Sequence, residues 1–343
     1  MKSRPGQGLT EIGKKIRHMQ NDHARRRTPP LRHSRRQPLP NQQNATSDQR
    51  PAYLLGIDGG GTGTRVILTT SDGTELSRAE SGPSGLGLGI DRAWAAISAA
   101  CALAFETAKL PLDWSACALG CGLAGVNHPG WLNQFRDTAP GVHTLEIESD
   151  AFTTLLGAHD GKPGVIVALG TGSIAAVLNA QGQVRIAGGY GFPSGDEASG
   201  AWLGLRAVVH LTQALDGRTP ADAFSHALLA RTGATDRDGL VVWLTGANQT
   251  GYATLAPTIF EHSTHPLAAR LLNEAGREIE KMTTALDPTH TLPVALCGGL
   301  AAPLEPFVPT ALRARLRKPL ADSATGALQL ARRGFAGVTS HGR

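Results

Sequence analysis

Cysteine, aromatic residues and long apolar segments are scarce in this sequence, and each scarcity excludes a class of protein. Its 343 residues include 4 cysteines, and aromatic residues make up 5%. Because no apolar run reaches the roughly 18 residues of a membrane span, no transmembrane helix is expected. Cys117 and Cys121 share one face of a predicted strand, which is typical of a core and not of a zinc site. Free, buried thiols favour a cytoplasmic location.

Two common nucleotide-binding motifs are also missing. A Walker A loop needs glycines before a lysine and Ser or Thr after it, and neither Lys109 nor Lys162 has these neighbours. Residues 120–125 follow a predicted strand and have the glycine spacing of the dinucleotide fingerprint. That fingerprint opens a helix, whereas residues 126–130 have the composition of a turn, so a nicotinamide or flavin site is not expected.

Charge is distributed unevenly along the chain. The formal net charge is +5, but residues 1–50 hold 12 Lys and Arg against 3 Asp and Glu, which leaves 21 basic and 25 acidic residues in the remainder. Nucleic-acid binding by the folded part is therefore not expected. Residues 1–50 have few apolar residues and no sustained period, so they are predicted to be disordered. They are either a solvated tail or translation-start artefact, or a basic arm that binds anionic partners.

Three glycine-rich turns each follow a predicted apolar strand, at residues 58–64, 170–173 and 298–301. Glycine can adopt positive φ and brings no Cβ, so successive N–H groups can converge on phosphate. The hydroxyls of Thr62 and Thr64 would add donors to the first turn. Asp58, at the end of its strand, can reach a magnesium ion or its waters.

The order of predicted elements is repeated along the chain. A strand and an antiparallel hairpin at 65–79 precede a helix from Asp91, its predicted N-cap, to about residue 108, and strands follow at 115–124 and 144–149. Three more strands are predicted at 164–169, 175–179 and 184–187. The predicted domains are therefore 51–158 and 159–335, with a disordered tail at 336–343. The final helix, from Asp322 to about Arg333, is a candidate to pack back on the first domain.

The three turns in this order resemble the superfamily of actin, sugar kinases and heat-shock ATPases. That resemblance implies an α/β fold of two ribonuclease-H-like domains, the actin-like ATPase fold, with the active site in the interdomain cleft. The first two turns would hold the phosphates of ATP, and the third would lie near adenosine. The predicted ATP-binding residues are Asp58, Gly59, Gly60, Gly61, Thr62, Gly63, Thr64, Gly170, Thr171, Gly172, Ser173, Gly298 and Gly299.

A narrower resemblance is to the BadF/BadG/BcrA/BcrD ATPase family, which includes eukaryotic N-acetylglucosamine kinases and benzoyl-CoA reductase activators. It depends on residues 58–62, 122–125, 149–151, 170–173 and 195–197. The bacterial glucosamine kinase branch is also similar in residues 192–206, 257–262, 266–268 and 318–328. The resemblance implies an ATP- and Mg²⁺-dependent kinase acting on the 6-hydroxyl of an amino sugar, with glucosamine as the leading substrate.

Phosphoryl transfer to an alcohol needs a base close to the proton of that alcohol, and Asp150 is the candidate. It follows a predicted strand and starts a helix, so it should lie at the carboxyl edge of the sheet, where open α/β sheets bind ligands. The alternative is that Asp150 only caps the helix. The resemblance implies the catalytic role.

Further site residues are carried over from the same resemblance. Asp196 would accept hydrogen bonds from sugar hydroxyls, although it could also cap the following helix, and Asp58 would act near magnesium. The other predicted substrate-binding residues are Gly85, Gly125, Tyr190 and Gly191. Gly85 stands where family members often have Asn, and Ile174 stands where animal N-acetylglucosamine kinases have Asn. Both departures concern the identity of the sugar.

Three alternatives to a glucosamine kinase stay open. N-acetylglucosamine kinase differs only in the substrate. An electron-transfer activator would need cysteines presented to an iron–sulfur cluster, whereas Cys101 falls in a predicted helix and Cys297 beside the third turn. A sugar-sensing repressor would need a helix-turn-helix, for which residues 1–50 lack the apolar periodicity. The sequence also allows a homodimer.

Overall fold

The computed structural model describes residues 50–339. The predictions for the basic segment, Arg50 apart, and for residues 340–343 lie outside the described residues. Within 50–339, no helix is both long and apolar enough to cross a membrane.

The first sheet has five strands in the order β3-β2-β1-β4-β5. Strand β1 pairs antiparallel with β2 and parallel with β4, β2 pairs antiparallel with β3, and β4 pairs parallel with β5. The predicted hairpin is therefore confirmed. The strands are β1 (Tyr53–Gly59), β2 (Thr64–Thr70), β3 (Glu75–Ser81), β4 (Cys117–Leu123) and β5 (Thr144–Ser149).

The helices of this half are α1 (Ile90–Thr107), α2 (Pro129–Asp137) and α3 (Asp150–His159). The predicted N-cap of α1 is wrong, because the helix begins one residue earlier: Gly89 occupies the cap position and Asp91 lies in the first turn. An acidic residue there still interacts favourably with the positive end of the helix dipole. Residues 124–127 form turns, but α2 begins at Pro129, within the segment 126–130 that was predicted to be a turn.

The second sheet has four strands in the order β8-β7-β6-β9, with β6 antiparallel to β7 and parallel to β9. A single parallel bridge between Val294 and Leu316 continues it beyond β9. The elements of this half are β6 (Gly164–Leu169), β7 (Ser173–Leu178), β8 (Val184–Gly188), α4 (Gly200–Leu215), α5 (Ala223–Thr232), α6 (Arg237–Gly246), α7 (Gln249–Ala253), α8 (Ala256–Glu261), α9 (Pro266–Leu286), β9 (Val294–Cys297), α10 (Ala301–Leu304), α11 (Thr310–Arg313) and α12 (Ser323–Thr339).

Strand β4 is buried on both faces, which explains its unbroken apolar sequence. Cys117 and Cys121 belong to the core under α1, whereas Ala118 faces Leu328 of α12. The prediction that the two cysteines share a core face is confirmed. Burial raises the pKa of the Cys117 thiol to about 12, so this group is a packing residue and not a nucleophile.

Helix α3 packs on both sheets, and helix α12 packs on α3 and on the first sheet. Helix α12 packs on β1 and β4, where a Cβ at Gly56 or Gly120 would collide with its backbone. The final helix therefore packs on the first sheet, as the sequence indicated. It continues to Thr339, beyond the predicted end near Arg333 and into the segment predicted to be disordered. The Arg-Arg-Gly pattern is typical of a helix end, but Gly334 fits closely against Glu146 of β5, and this contact favours continuation.

Candidate active site

Four strands of the first sheet end at the same edge. Because β2 is reversed and β1, β3, β4 and β5 run in one direction, their last residues share that edge. The glycine-rich turn after β1, the segment 82–85 after β3, the turn at 124–127 after β4 and Asp150 after β5 are thereby brought together.

The first glycine loop, residues 60–63, closes with a hydrogen bond from the Gly60 N–H to the Gly63 carbonyl at 3.0 Å. None of its glycines has a positive φ, so the predicted use of left-handed backbone is wrong here. The absence of a side chain is what matters at these glycines. A Cβ at Gly60 or Gly61 would meet nothing within 4 Å, which leaves their backbone open to a ligand, whereas a Cβ at Gly59 would collide with the Ser84 hydroxyl.

The two threonines of the first loop differ in exposure. Thr62 is exposed, so its hydroxyl can reach a ligand. The Thr64 hydroxyl is buried; it donates to the Gly82 carbonyl at 2.6 Å and lies 2.7 Å from the Ser84 hydroxyl. Thr64 therefore joins two loops, and its hydroxyl is not exposed as the predicted phosphate donor because its proton is used inside the protein.

Two predicted sugar residues lie close to the first glycine loop. Gly85 contacts that loop directly, and Gly125 contacts the residue that follows Gly85. The N–H groups of Ser84 and Gly85 donate to the Gly60 carbonyl at 3.1 and 2.9 Å. Gly125 has a φ of 95° and packs against Leu86, which follows Gly85. Hydrogen bonds and packing thus join the predicted sugar loop to the first glycine loop.

Asp58 is the carboxylate at the end of β1, and its side chain is 22% exposed. Arg65 Nη1 lies 3.7 Å from its Oδ2, and the Ser323 hydroxyl at the start of α12 donates to it. Burial raises the pKa of Asp58, and the nearby Asp150 carboxylate adds to that rise. The two predicted acids are therefore close enough to interact electrostatically.

The donor chemistry around Asp58 fits magnesium. Mg²⁺ binds through one or two carboxylates together with waters and substrate phosphates. Asp58 offers a partly exposed carboxylate next to the open backbone of Gly60 and Gly61. Within residues 50–339, no group of three or more His, Cys, Asp or Glu could hold a metal ion, so a cage made of protein ligands alone is not built here.

Asp150 is the first residue of α3, and the N-cap of that helix is Ser149, whose hydroxyl accepts from the Phe152 N–H at 3.2 Å. The capping alternative for Asp150 is therefore wrong, since the preceding serine already fills that role. Asp150 Oδ1 accepts from the adjacent Ala151 N–H at 2.8 Å, and the carboxylate also accepts from its own backbone N–H. Burial raises the pKa of Asp150, which strengthens it as a proton acceptor near neutral pH.

The second sheet presents a similar edge. Gly170 N–H donates to the Gly172 carbonyl at 2.9 Å, which closes the second glycine loop, and the Gly170 carbonyl accepts from Gly200 N–H at 2.8 Å. Ser173 is buried and its hydroxyl donates to the Glu197 carbonyl at 2.6 Å, so it too joins loops. Gly298 in the third loop has a φ of 89° and packs on the Leu169 carbonyl.

Asp196 is 5% exposed and lies against the second glycine loop. Its carboxylate accepts from the N–H groups of Ser173 and Gly191, and from Gln249 Nε2 at 2.6 Å. It does not cap α4, since Ser199 takes that position. Tyr190, between glycines of positive φ, is 88% exposed.

Helix α3 places the two edges at the same end of the molecule. His159, its last residue, lies 2.9 Å from the Val165 carbonyl at the start of β6. From there β6 runs alongside α3, and Ala151, Leu155 and Ile166 belong to one buried cluster. A ten-residue helix spans about 15 Å and four strand steps about 13 Å. The second glycine loop therefore returns to the level of Asp150.

Sequence reasoning missed Ser323 and Gln249, which contact two of the predicted carboxylates. Ser323 has a weak signal, because Asp322 before it caps α12 by accepting from the Thr325 N–H at 2.8 Å. No local sequence pattern predicts the contact of Gln249, since it lies 53 residues from Asp196.

Comparison with known proteins agrees with this geometry. The chain is 31% identical over 292 residues to a glucosamine kinase of Vibrio cholerae, covering 84% of this chain and 97% of that protein. It is 27% identical over 228 residues to an N-acetyl-D-glucosamine kinase of Dictyostelium discoideum, covering 61% and 70% of the two chains. A crystal structure from Chromobacterium violaceum, provisionally assigned as an N-acetylglucosamine kinase, is 48% identical with a TM-score of 0.80, covering 82% of this chain and 99% of that one.

The predicted fold class is confirmed: the chain has an α/β fold of two sheets, as in two ribonuclease-H-like domains of the actin-like type. The family model for the BadF/BadG/BcrA/BcrD ATPases matches residues 55–323, from β1 to the first residue of α12. All three glycine loops, together with Asp58, Asp150 and Asp196, fall inside this match. The chain therefore belongs to the BadF/BadG/BcrA/BcrD ATPase family.

Proposed function

We propose that this protein is an ATP-dependent kinase that phosphorylates the 6-hydroxyl of an amino sugar, with glucosamine as the preferred substrate. The observation that carries the proposal is the position of Asp150. It lies at the carboxyl edge of the first sheet, is not used as a helix cap, and interacts with Asp58 beside an open glycine loop. The similarity to named amino-sugar kinases supports the same assignment.

The proposed chemistry divides between the two edges. Asp150 accepts the proton of the sugar 6-hydroxyl as that oxygen attacks the terminal phosphorus of ATP. The open backbone of Gly60 and Gly61 and the Thr62 hydroxyl hold phosphate oxygens from one side, and residues 170–172 hold them from the other. Gly298 and Gly299 lie near adenosine. Mg²⁺, held by Asp58 and by ATP, would neutralise charge on the phosphates.

Asp58 and Asp150 share this site but have separate roles. Burial raises the pKa of Asp58, and the repulsion between the two carboxylates adds to that rise. A cation at Asp58 would relieve that repulsion and favour the ionised form of both acids. Asp150 then stays a base while Asp58 binds the cation. Asp196, at the second edge, accepts from a sugar hydroxyl.

The choice of glucosamine follows from what two positions lack. Gly85 has no side chain, and the Ile174 side chain packs against Gly189 in the loop that carries Tyr190. Neither can pair with an acetamido group. Burying an unpaired carbonyl or N–H costs about 1 to 3 kcal/mol, equivalent to roughly a five- to hundredfold bias.

The experiment is a coupled assay of ADP release over a panel of amino sugars, with kcat/KM measured for glucosamine and N-acetylglucosamine at matched pH. We expect glucosamine to have the higher kcat/KM. A preference for the acetylated sugar would reject glucosamine while retaining the kinase. Absence of ADP release with every sugar would reject the kinase.

An electron-transfer activator is not favoured by the positions of the cysteines. Cys101, Cys117 and Cys121 are buried, and Cys297 is half-buried. Burial raises the pKa of Cys297 to about 12. A cluster ligand has to be an accessible thiolate, and none of the four meets that requirement.

A further inference from the structure

Gln249 contacts the second edge of the site from outside both the sheet and the glycine loops. It is the first residue of α7, and its Nε2 donates to Asp196 Oδ2 at 2.6 Å. A Cβ at Gly172 would lie 2.9 Å from Gln249 Nε2 and 2.8 Å from Asp196 Oδ2. The amide therefore lies where the second glycine loop and Asp196 meet.

The position of this amide is fixed by the close packing of α7 on α4. A Cβ at Gly204 would collide with the Tyr252 carbonyl, and one at Gly200 would lie 3.2 Å from Ala253 Cβ. The Tyr252 ring also packs on Phe192, with centroids 5.2 Å apart. Helix α7 thus supports the segment that runs from the exposed Tyr190 to α4.

The hydrogen-bonding capacity of Asp196 shows what Gln249 contributes. An ionised carboxylate offers about four acceptor sites. Ser173 N–H, Gly191 N–H and Gln249 Nε2 occupy three of them, which leaves about one for a substrate hydroxyl. All three partners are donors, so they favour the ionised carboxylate. Burial, assisted by the nearby Glu197 carboxylate, outweighs these donors and raises the pKa of Asp196, so each donor limits that rise.

We propose that Gln249 is a positioning residue that keeps Asp196 an ionised acceptor with one free site, and thereby sets the affinity for the sugar. The inference rests on the proposed kinase function. Gln249 does not touch the reacting atoms; it acts through Asp196. Because the Ser173 and Gly191 donors belong to the backbone, Gln249 is the partner of Asp196 that a side-chain substitution can remove.

The test uses Gln249→Met, which keeps the length of the side chain but has no donor, and Gln249→Glu. Thr250→Ala is the matched control, because Thr250 is the next residue of α7 and is exposed. With ATP saturating, we expect Gln249→Met to raise the KM for glucosamine about tenfold or more, since hydrogen bonds to charged groups are worth that much. The KM for ATP should stay within about twofold.

The pH profile separates positioning from packing. Without the amide donor, the pKa of Asp196 rises, so the acid limb of kcat/KM for the sugar should move to higher pH in Gln249→Met. In Gln249→Glu, two carboxylates face each other and share one proton. The introduced carboxyl group, once protonated, can donate a hydrogen bond as the amide does. The kcat/KM of Gln249→Glu for the sugar should therefore approach the wild-type value as the pH falls, whereas that of Gln249→Met departs further from it.

Either of two results would overturn the inference. One is a glucosamine KM for Gln249→Met within twofold of the Thr250→Ala value. The other is an equal rise in both KM values with a lower Tm, which would indicate packing alone. If wild type phosphorylates no amino sugar, the proposed function fails and this inference fails with it. If wild type is active and Gln249→Met matches it, only this inference fails.

Discussion

The first sheet and the second sheet have the same strand order, yet the fifth position is the strand β5 in one and a single bridge at Leu316 in the other. In the first sheet, β5 leads directly into α3 and so delivers Asp150 to the carboxyl edge. In the second sheet, Leu316 is followed by the segment that leads to α12, which packs on the first sheet. The fifth position thus supplies the proposed base in only one half.

The similarity between the halves extends to one hydrogen bond. Thr64 pairs with Gly59 and Ser173 pairs with Leu169, so each hydroxyl residue begins the second strand of its sheet. Each is buried, and each donates to a carbonyl in the loop that follows the third strand, Gly82 in one half and Glu197 in the other. The repeated fold therefore includes the hydrogen bond between its glycine loop and the loop that follows its third strand.

The loops themselves differ in length and charge. The first sheet has the short segment 82–85, joined to Gly60 by two backbone hydrogen bonds. The second has the longer segment 189–199, in which Asp196 and Ala198 adopt positive φ although neither is glycine. Such backbone is tolerated where the surroundings fix it, and it is common at functional sites. We infer that the first edge supplies the base, and that the second edge supplies Asp196 as a further contact for the sugar.

The largest expected effect tests that division. Asp150→Asn should lower turnover about a hundred- to ten-thousand-fold, since an amide cannot accept the proton. ATP binding, measured by calorimetry, should be unchanged. Because burial raises the pKa of Asp150 above its unfolded value, its charge destabilises the fold at neutral pH, and the Tm of the variant should equal or slightly exceed wild type. A variant that keeps more than a tenth of the turnover would remove Asp150 from this role.

A matched change at the second edge completes the comparison. Asp196→Asn should raise the KM for the sugar more than it lowers kcat, because Asp196 binds and does not react. Ser149→Ala is the control for helix capping: loss of an N-cap costs about 1 kcal/mol of stability, with turnover largely kept. If Asp196→Asn abolished turnover at saturating sugar, the two edges would not divide the chemistry as proposed.

The next largest expected effect concerns the ion pair between Asp287 and Arg315, the residue before Leu316 in the second sheet. Arg315 Nη2 donates to Asp287 Oδ2 at 2.5 Å, and the two side chains are 13% and 4% exposed. Arg315→Ala should lower the free energy of unfolding by about 3 kcal/mol, because it leaves a buried charge unpaired. The exposed Arg317, whose guanidinium bonds only to nearby carbonyls, gives the control Arg317→Ala. Urea unfolding of both variants measures the difference, and equal losses would contradict the prediction.

The contribution of this ion pair to stability depends on pH. Burial tends to raise the pKa of Asp287, but hydrogen bonds from Leu292 N–H and Thr289 and the charge of Arg315 outweigh it and hold the pKa below its ordinary value. Asp287 therefore stabilises the fold above its unfolded pKa, and this contribution is lost as the pH falls through the folded pKa. In Arg315→Ala, acid unfolding should begin at a higher pH than in wild type.

Substitutions at Gly59 and Gly60 test packing and ligand access separately at the start of the first glycine loop. Gly59→Ala should lower the free energy of unfolding by about 1 to 3 kcal/mol, since its Cβ would collide with the buried Ser84. Gly60→Ala has open space and should leave the Tm near wild type while raising the KM for ATP, because its methyl group would occupy space proposed for phosphate. If Gly60→Ala left the KM for ATP unchanged, the backbone at Gly60 would not contact the nucleotide.

The smallest effect tests the repeated hydrogen bond. Thr64→Val and Ser173→Ala each remove the donor of a part-buried hydrogen bond, and should cost about 0.5 to 1.5 kcal/mol in urea unfolding. Thr64→Val should cost more, since the Ser84 hydroxyl also loses a partner. Exposed Thr62→Ala is the control for stability. A null result at one position and a loss at the other would show that the similarity is geometric and not energetic.

Most of the fold could be predicted from the sequence because its signals are local. Alternating or continuous apolar residues indicated the strands, and a predicted strand at 144–149 agrees with β5. The predictions failed at helix boundaries. The predicted N-cap Asp91 lies in the first turn instead, because the backbone places Gly89 at the cap. Asp150 starts its helix as predicted, and the neighbouring Ser149 is the cap. A cap depends on which single residue leaves helical geometry, and neighbouring residues of similar type compete for it.

The sequence by itself determined the family and the order of the strands along the chain, and it pointed to the three carboxylates proposed for the site, because each depends on residues close together in the chain. Only the tertiary structure decided the contacts that join distant segments. These include the Ser323 hydroxyl on Asp58, the Gln249 amide on Asp196, and the hydroxyls of Thr64 and Ser173 turned inward to other loops. Burial and direction of a side chain depend on what folds against it, and a linear pattern does not record that.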